Sequence, residues 1–486
     1  MKNLKNKGSF LGNLFLLNIL NLLIKPAWLL LADRKVQILL EAENYGLFYR
    51  GFNFVLLLNI LLDFGINNYT SKEIASNQKF IGKFFRKLLI IKLLLSIVFL
   101  ALVVLISPKI GHSTQLQAII FIMAFYQIFL SFFQFFRSIT VGFQQFRIDA
   151  FFSVLEKGFL LITLLIILYI PHYTQYLSAQ FYAKIHLIII VALAIVLGVY
   201  IVQKFNLLSS QQLSEKKLGE ILKKTTPFAL LGILMTLYTR LDVFMIGQLT
   251  QRSEFWVAQY VKGYRLLVAL NMLFAISAGF LLPLFSKYSK DERWMRINVV
   301  AFFELFLWFV APSVIFAFAT KGEIIKSLYG DKDWVIAAES FGILIWVFLA
   351  MSLVYVFGTA LTAMGKLKQL NMIAGLTVLL NFALNLYYIP RHGIIGAALV
   401  TLFSQSIFGG FCLLLTQKKS GLQWHWVKNL KLILLLLLVF FSTKYLQFNQ
   451  YAFFKIVVIE IALYIVISIL LGLIPKRESF VNINKQ

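Results

Sequence analysis

Stretches of about twenty predominantly apolar residues follow one another along almost the whole chain, and no other feature restricts its fold so strongly. The hydrocarbon layer of a bilayer is about 30 Å thick, the length of an α-helix of about 20 residues. Such runs lie at residues 9–31, 46–66, 86–107, 116–136, 150–170, 182–203, 226–248, 256–284, 297–319, 336–359, 370–389, 393–416, 430–447 and 452–474, and they predict fourteen spanning helices. With 60% hydrophobic and only 14% charged residues among 486, a soluble domain is excluded. The expected fold is an all-α polytopic membrane protein. The first run lacks a small-residue cleavage site and leads straight into further spans, so it reads as a retained helix rather than a signal peptide.

A net charge of +26 would point to nucleic acid in a soluble chain, but here its placement gives it another meaning. Outside the spans, Lys and Arg favour the N-terminal side by roughly three to one, in basic loops such as Lys72 to Lys87, Lys216 to Lys224 and Lys287 to Arg296. The positive-inside rule then keeps those loops and both termini in the cytoplasm, and no nucleic-acid partner is expected.

The basic stretch 204–225 is the longest segment between spans, and it divides the expected lobes. Spans 1–6 form an N-terminal lobe (1–203), spans 7–12 a C-terminal lobe (226–417), and two further spans with a tail complete the chain (418–486). An internal comparison supports two pseudo-symmetric six-helix lobes. At a constant offset of 215 residues, Lys25 aligns with Arg240, Arg50 with Arg265, Tyr45 with Tyr260, Tyr49 with Tyr264, and Ser71-Lys72 with Ser286-Lys287. Both copies begin from the same side, so the repeats are parallel, and substrate sites of such carriers lie at the repeat interface.

A cation at the centre of a spanning helix costs roughly 2.5 to 3.5 kcal/mol, so Lys25, Arg50, Arg240 and Arg265 call for a polar cavity or a ligand. Guanidinium groups bind phosphate oxygens bidentately and Lys adds a point charge, a combination suited to a phosphate or diphosphate. Lys262, three residues before Arg265, adds charge on nearly the same face, and Lys157 beside Glu156 is a further candidate. The competing reading neutralises each cation locally, with Asp242 two residues from Arg240 and Glu41 near Arg50. Lys92 and Lys184 lie near span ends, where snorkelling is easy. Buried acids Asp63, Glu304, Glu339 and Glu460 are candidates for proton or sodium coupling, with helix packing or ion pairing as the alternative.

Catalytic and metal signatures fail on context. Asp331-Lys332-Asp333 has the DxD form of many glycosyltransferases but sits in a short outer loop with no nucleotide-binding domain, and no Walker A sequence occurs. His112, His172, His186, His392 and His425 lack metal-ligand spacing, and the single Cys412 reads as a small buried apolar residue. No cofactor and no metal is expected, and the chain reads as a transporter rather than an enzyme.

The run Asn44-Tyr-Gly-Leu-Phe-Tyr-Arg50, with Leu62-Asp-Phe-Gly-Ile66 and Ser71-Lys-Glu-Ile-Ala75 after it, resembles the second helix and following loop of Wzx-type polysaccharide flippases. These belong to the multidrug/oligosaccharidyl-lipid/polysaccharide exporter (MOP) superfamily. Phe146-Arg-Ile-Asp-Ala150, Tyr238-Thr-Arg-Leu-Asp242 with Met245-Ile-Gly247, and Gln259-Tyr-Val-Lys-Gly-Tyr-Arg265 extend the resemblance along nearly the whole chain. It implies translocation of undecaprenyl-diphosphate-linked oligosaccharide across the bacterial inner membrane for O-antigen, capsule or exopolysaccharide synthesis, by alternating access around a cationic cavity. It also implies a polysaccharide polymerase and a chain-length regulator as partners. Two extra spans resemble the fourteen-span members and the lipid II flippases (MurJ). The alternatives are a MATE-type drug antiporter, whose cavity would be lined with acids, a polymerase or ligase, which needs larger outer loops than 32–45 and 320–335, and a lipid II flippase.

Overall fold

A computed structural model describes residues 20, 23–78, 80–111, 113–207, 218–330 and 333–473. The described residues are almost entirely helical and contain no strand. Hydrocarbon offers backbone N–H and C=O groups no partner, so an apolar stretch of this length satisfies them within itself, as a helix. The larger helices are α1 (23–39), α2 (Glu41–Ser76), α3 (Phe80–Ile110), α4 (Thr114–Gly142), α5 (Phe146–Tyr169), α6 (Ala179–Lys204), α7 (Leu218–Leu249), α8 (Ser253–Lys287), α9 (Glu292–Ala319), α10 (Trp334–Ala363), α11 (Leu367–Ser420), α12 (Trp426–Phe448) and α13 (Phe453–Leu470). Among the described residues, ten helices are long and apolar enough to cross a membrane. Most of the first expected span, the His112 position, Asp331-Lys332 and part of the 204–225 stretch lie outside the described residues.

One of the ten is 54 residues long, about 80 Å at the helical rise and far more than a bilayer needs. This is α11, and its backbone leaves the helical region at Gly393 (φ 55°, ψ −135°), a conformation that only glycine adopts readily. Its two arms correspond to the expected spans 370–389 and 393–416.

By proximity the chain divides into two compact units, Met1–Ala258 and Gln259–Gln486. In the first, α4 packs against α6 and α2, α5 against α1, and α7 along α2. In the second, α10 lies between α9 and α11, α12 rests on α9, and α13 on α12. Leu432, Leu435, Val439 and Tyr464 bury the α12–α13 hairpin against Leu307, Trp308 and Ile315 of α9. Exposed side chains along the spans are large and apolar, among them Ile97, Leu105, Leu414 and Phe454, which suits a surface wetted by lipid rather than water.

Two local features depart from the sequence expectation. Residues 32–45 are not a loop: a π-helical segment, Trp28–Asp33, runs into Arg34–Leu39, and α2 begins at Glu41. α2 is in turn broken by Phe64 (φ 44°) and Gly65 (φ 76°), both left-handed.

Candidate functional site

In the first unit the best-defined cationic site is built around Arg50 on α2. One turn before it stands Gly46, where a Cβ would lie 1.7 Å from the Glu254 carbonyl oxygen, so only glycine lets the start of α8 lie against α2. That approach brings Ser253 and Glu254 onto the Arg50 guanidinium. Nη1 donates to Ser253 Oγ at 2.9 Å and to Glu254 Oε1 at 2.6 Å, and Nη2 donates to the carbonyl of Ile110 at the end of α3. The side chains are 13% and 28% exposed. Charge-assisted bonds of this kind contribute roughly 1.5 to 3 kcal/mol each, enough together to offset what inserting an arginine costs. The acid that neutralises Arg50 is therefore Glu254, in the first turn of α8, and not Glu41 as local proximity implied.

Glu254 lies between the expected spans 226–248 and 256–284. Its partial burial opposes ionisation, but its own backbone N–H, Arg50 and Ser253 outweigh that and hold the carboxyl below its ordinary value of 4.5. A second pair, Arg252 with Glu43 at 3.0 Å, is exposed at both ends and contributes little.

Tyr49 and Asn53 flank Arg50 on α2 and hold α7. Asn53 Nδ2 donates to the Arg240 carbonyl at 3.0 Å, and Arg240 Nη1 reaches Tyr49 Oη at 3.4 Å. Arg240 is half-buried, and Asp242, two residues on, is 2% exposed. Lys25 is half-buried on α1, in the field of the Glu156 and Asp149 carboxylates and opposed by the cations Arg137 and Lys157. Arg137 pairs with Asp149 at 2.7 Å and Lys157 with Glu156 at 2.9 Å, while Lys157 Nζ lies 4.6 Å from the Trp28 ring centroid. The first unit thus brings Arg50 and Arg240 to one face of α2, and links Lys25 electrostatically to α5.

In the second unit Lys262 and Arg265 are 8% and 7% exposed on α8. Lys262 Nζ lies 5.8 Å from the Tyr329 ring centroid, and Tyr329 Oη donates to the Lys262 carbonyl at 3.2 Å. Expected to line a central cavity, both cations are largely buried on α8.

The candidate coupling acids separate into different roles. Asp63 caps the break in α2, accepting from the Asn67 N–H at 3.2 Å and lying 3.5 Å from Lys92 Nζ. Glu304 is buried and paired with His425 Nδ1 at 2.9 Å and Lys428 Nζ at 3.2 Å, which fastens α12 to α9. Glu339 is exposed, 2.6 Å from Lys321, so it is not the buried acid the sequence implied. Glu460, 3% exposed, accepts from Ser442 Oγ at 2.7 Å. Lys92 corrects a further expectation: it does not snorkel but is fully buried, because the α2 break and Ser131 supply polar partners deep in the unit. Lys184 is exposed.

Sequence reasoning missed Asp33. It is 1% exposed and accepts from Tyr45 Oη at 3.0 Å and from Tyr182 Oη, next to the buried His186 ring, 4.8 Å from that of Tyr182. Placing Asp33 in a loop hid it; the register of the helix continuing through 34–39 would have revealed it. Cys412 is fully buried as expected, and among the described residues no trio of His, Cys, Asp or Glu could hold a metal ion.

An all-helical chain of this architecture, carrying buried cations on its spans, has the fold of the MOP superfamily transporters. Across 94% of this chain and 98% of the other, it superposes on the lipid II flippase MurJ in an inward closed conformation, with a TM-score of 0.73 and 17% identity. An inward-facing multidrug resistance MATE family transporter of the MOP superfamily gives 0.62 at 13% identity over 81% of this chain and 94% of the other. A MOP superfamily transporter from Pyrococcus furiosus, described as having a binding pocket of reversed polarity, gives 0.60 at 13% identity over 84% and 95%. No curated protein matches the chain in sequence. Residues 16–289, more than half of the chain, match the model of the family described as polysaccharide biosynthesis protein, and the chain belongs to that family. This agrees with the resemblance to Wzx-type flippases drawn from the motifs around Arg50, Arg240 and Arg265.

Proposed function

We propose that this protein translocates undecaprenyl-diphosphate-linked oligosaccharide from the cytoplasmic to the outer leaflet of the bacterial inner membrane during surface polysaccharide synthesis. The observation that carries the reading is Arg50, an intramembrane guanidinium whose acid partner stands in the first turn of α8, where an incoming anion can take its place. An uncompensated diphosphate in an apolar medium costs tens of kcal/mol by Born estimates, so a path for it needs cations that are already desolvated. Arg50 and Arg240 on one face of α2, with Lys25 nearby on α1, supply them in the first unit. Lys262 and Arg265 supply them in the second. In this scheme the diphosphate replaces Glu254 as the partner of Arg50, and the polyprenyl tail stays in lipid. Membership of the polysaccharide biosynthesis family supports the substrate class, and the predominance of cations over acids at these positions weighs against a drug antiporter.

Deletion in the native host, with identification of the lipid-linked saccharide that accumulates, tests the assignment. Complementation with Arg50→Ala/Arg265→Ala is expected to abolish export while the protein stays in the membrane at normal level. Full export by the double variant would refute the cationic path.

A further inference from the structure

The second unit contains a cavity of about 440 Å³ that none of the proposed transport residues touches. Its wall comes from three places in the chain: Ser289, Lys290 and Glu292 before and at the start of α9, Lys366 in the turn between α10 and α11, and Lys419 and Ser420 at the end of α11. The reversal at Gly393 is what returns the far end of α11 to its beginning. Gly365 (φ 74°) shapes the turn, in which the Lys366 N–H donates to the Leu361 carbonyl at 2.9 Å.

Depth in the membrane follows from the same elements. Candidate spans end or begin at Glu292, Ala363, Leu367 and Ser420, so four helix ends converge on the cavity and set it where hydrocarbon gives way to headgroups. Aromatic residues of the interfacial kind mark that level: Tyr288 and Trp294 stack at 4.5 Å, and Trp426 is 76% exposed. Lys290 and Lys419 are exposed and Lys366 is half-buried, giving three cations around one opening. Glu292 is the one acid in the wall. Arg296 is committed elsewhere, its Nε donating to the Ser420 carbonyl at 3.3 Å and capping α11.

We propose that this cavity binds the phosphate of an anionic glycerophospholipid headgroup. Basic pockets between helix ends at the interface hold such headgroups, each Lys near an anionic surface being worth about 1 kcal/mol, or roughly five-fold in affinity. The site is separate from the proposed translocation path and does not depend on it.

The test is native mass spectrometry of the purified, delipidated full-length protein titrated with phosphatidylglycerol, with phosphatidylcholine and, separately, with inorganic phosphate. Phosphatidylglycerol is expected to bind preferentially. Lys366→Gln/Lys419→Gln is expected to weaken it by roughly thirty-fold, as two cations are lost, and Glu292→Gln to strengthen it several-fold. Unchanged phosphatidylglycerol binding in the double variant overturns the site, as does equal retention of phosphatidylcholine. Inorganic phosphate binding as tightly as the lipid, and lost in the same variant, overturns the headgroup assignment in favour of a soluble phosphate. Because Glu292→Gln moves affinity in the opposite direction, a misfolded double variant cannot imitate the expected result.

Discussion

Lys92 offers the clearest test of how this fold accommodates charge. Its Nζ is 2.6 Å from Ser131 Oγ, 3.2 Å from the carbonyls of Ser131 and Leu62, and 3.5 Å from Asp63 Oδ1, and the residue is 0% exposed. Lys92→Met keeps the stem and removes the ammonium. The lost charge-assisted bonds are worth roughly 1.5 to 3 kcal/mol each, but relieving a buried ion returns several kcal/mol. Two features limit the damage left behind. Ser131 Oγ still donates to the Leu62 carbonyl at 3.0 Å, and Asp63, 25% exposed and bonded to the Asn67 N–H, can rehydrate. The net cost of Lys92→Met should therefore be about 1 to 2 kcal/mol, well below the 3 to 5 kcal/mol typical of breaking a fully buried pair. Lys92→Ala also removes the stem and leaves a cavity, adding about 2 to 5 kcal/mol. In fluorescence-detected thermal unfolding in detergent, the two variants should differ by several degrees, Ala being lower. Equal losses would mean that hydrogen bonding, not packing of the stem, dominates. A loss above about 4 kcal/mol for Lys92→Met, recovered by adding Asp63→Asn, would mean that Asp63 cannot rehydrate, and the reasoning would fail.

Gly46→Ala should lower folded yield and Tm sharply, since its Cβ meets the Glu254 backbone at 1.7 Å, whereas Gly158→Ala, with nothing within 4 Å, should be neutral or slightly stabilising; similar Tm values for both would remove the case for close packing there. The depressed Glu254 carboxyl predicts that the Arg50 pair contributes fully above pH 4.5 and fades as the pH falls through the lower folded-state value. Glu254→Gln should flatten the acid limb of the Tm profile, and an unchanged limb would assign the acid sensitivity to other groups.

Part of this was readable without coordinates. Hydrophobic length located the helices because it is a local property: α3, α4, α6 and α9 each cover their expected span, and α5 covers all but the last residue of its own. The buried state of Cys412 was also foreseeable, since it lies within an apolar run. Charge pairing was not. Glu41 was the acid expected to neutralise Arg50 from nearby in the chain, yet the partner is 204 residues away, and nothing in either local sequence encodes the meeting. Lys92 looked free to reach water by its position in the span, and only the broken α2 alongside gave it a polar interior to occupy. Asp33 was assigned to the loop 32–45 because it falls between the expected spans, whereas the helix continues through Arg34 and Lys35.

The sequence by itself determined that this is a helical membrane protein with more cations than acids along its spans, and the order of its motifs determined its family. Both follow from short-range chemistry, since the apolar length of each segment and the cost of exposing its backbone in lipid leave no alternative to helix. Tertiary structure alone decided which charges are neutralised, by what, and at what depth. Those outcomes depend on where helix ends converge, and Gly46, which lets Glu254 reach Arg50, sets one such meeting through a close approach that no single segment specifies.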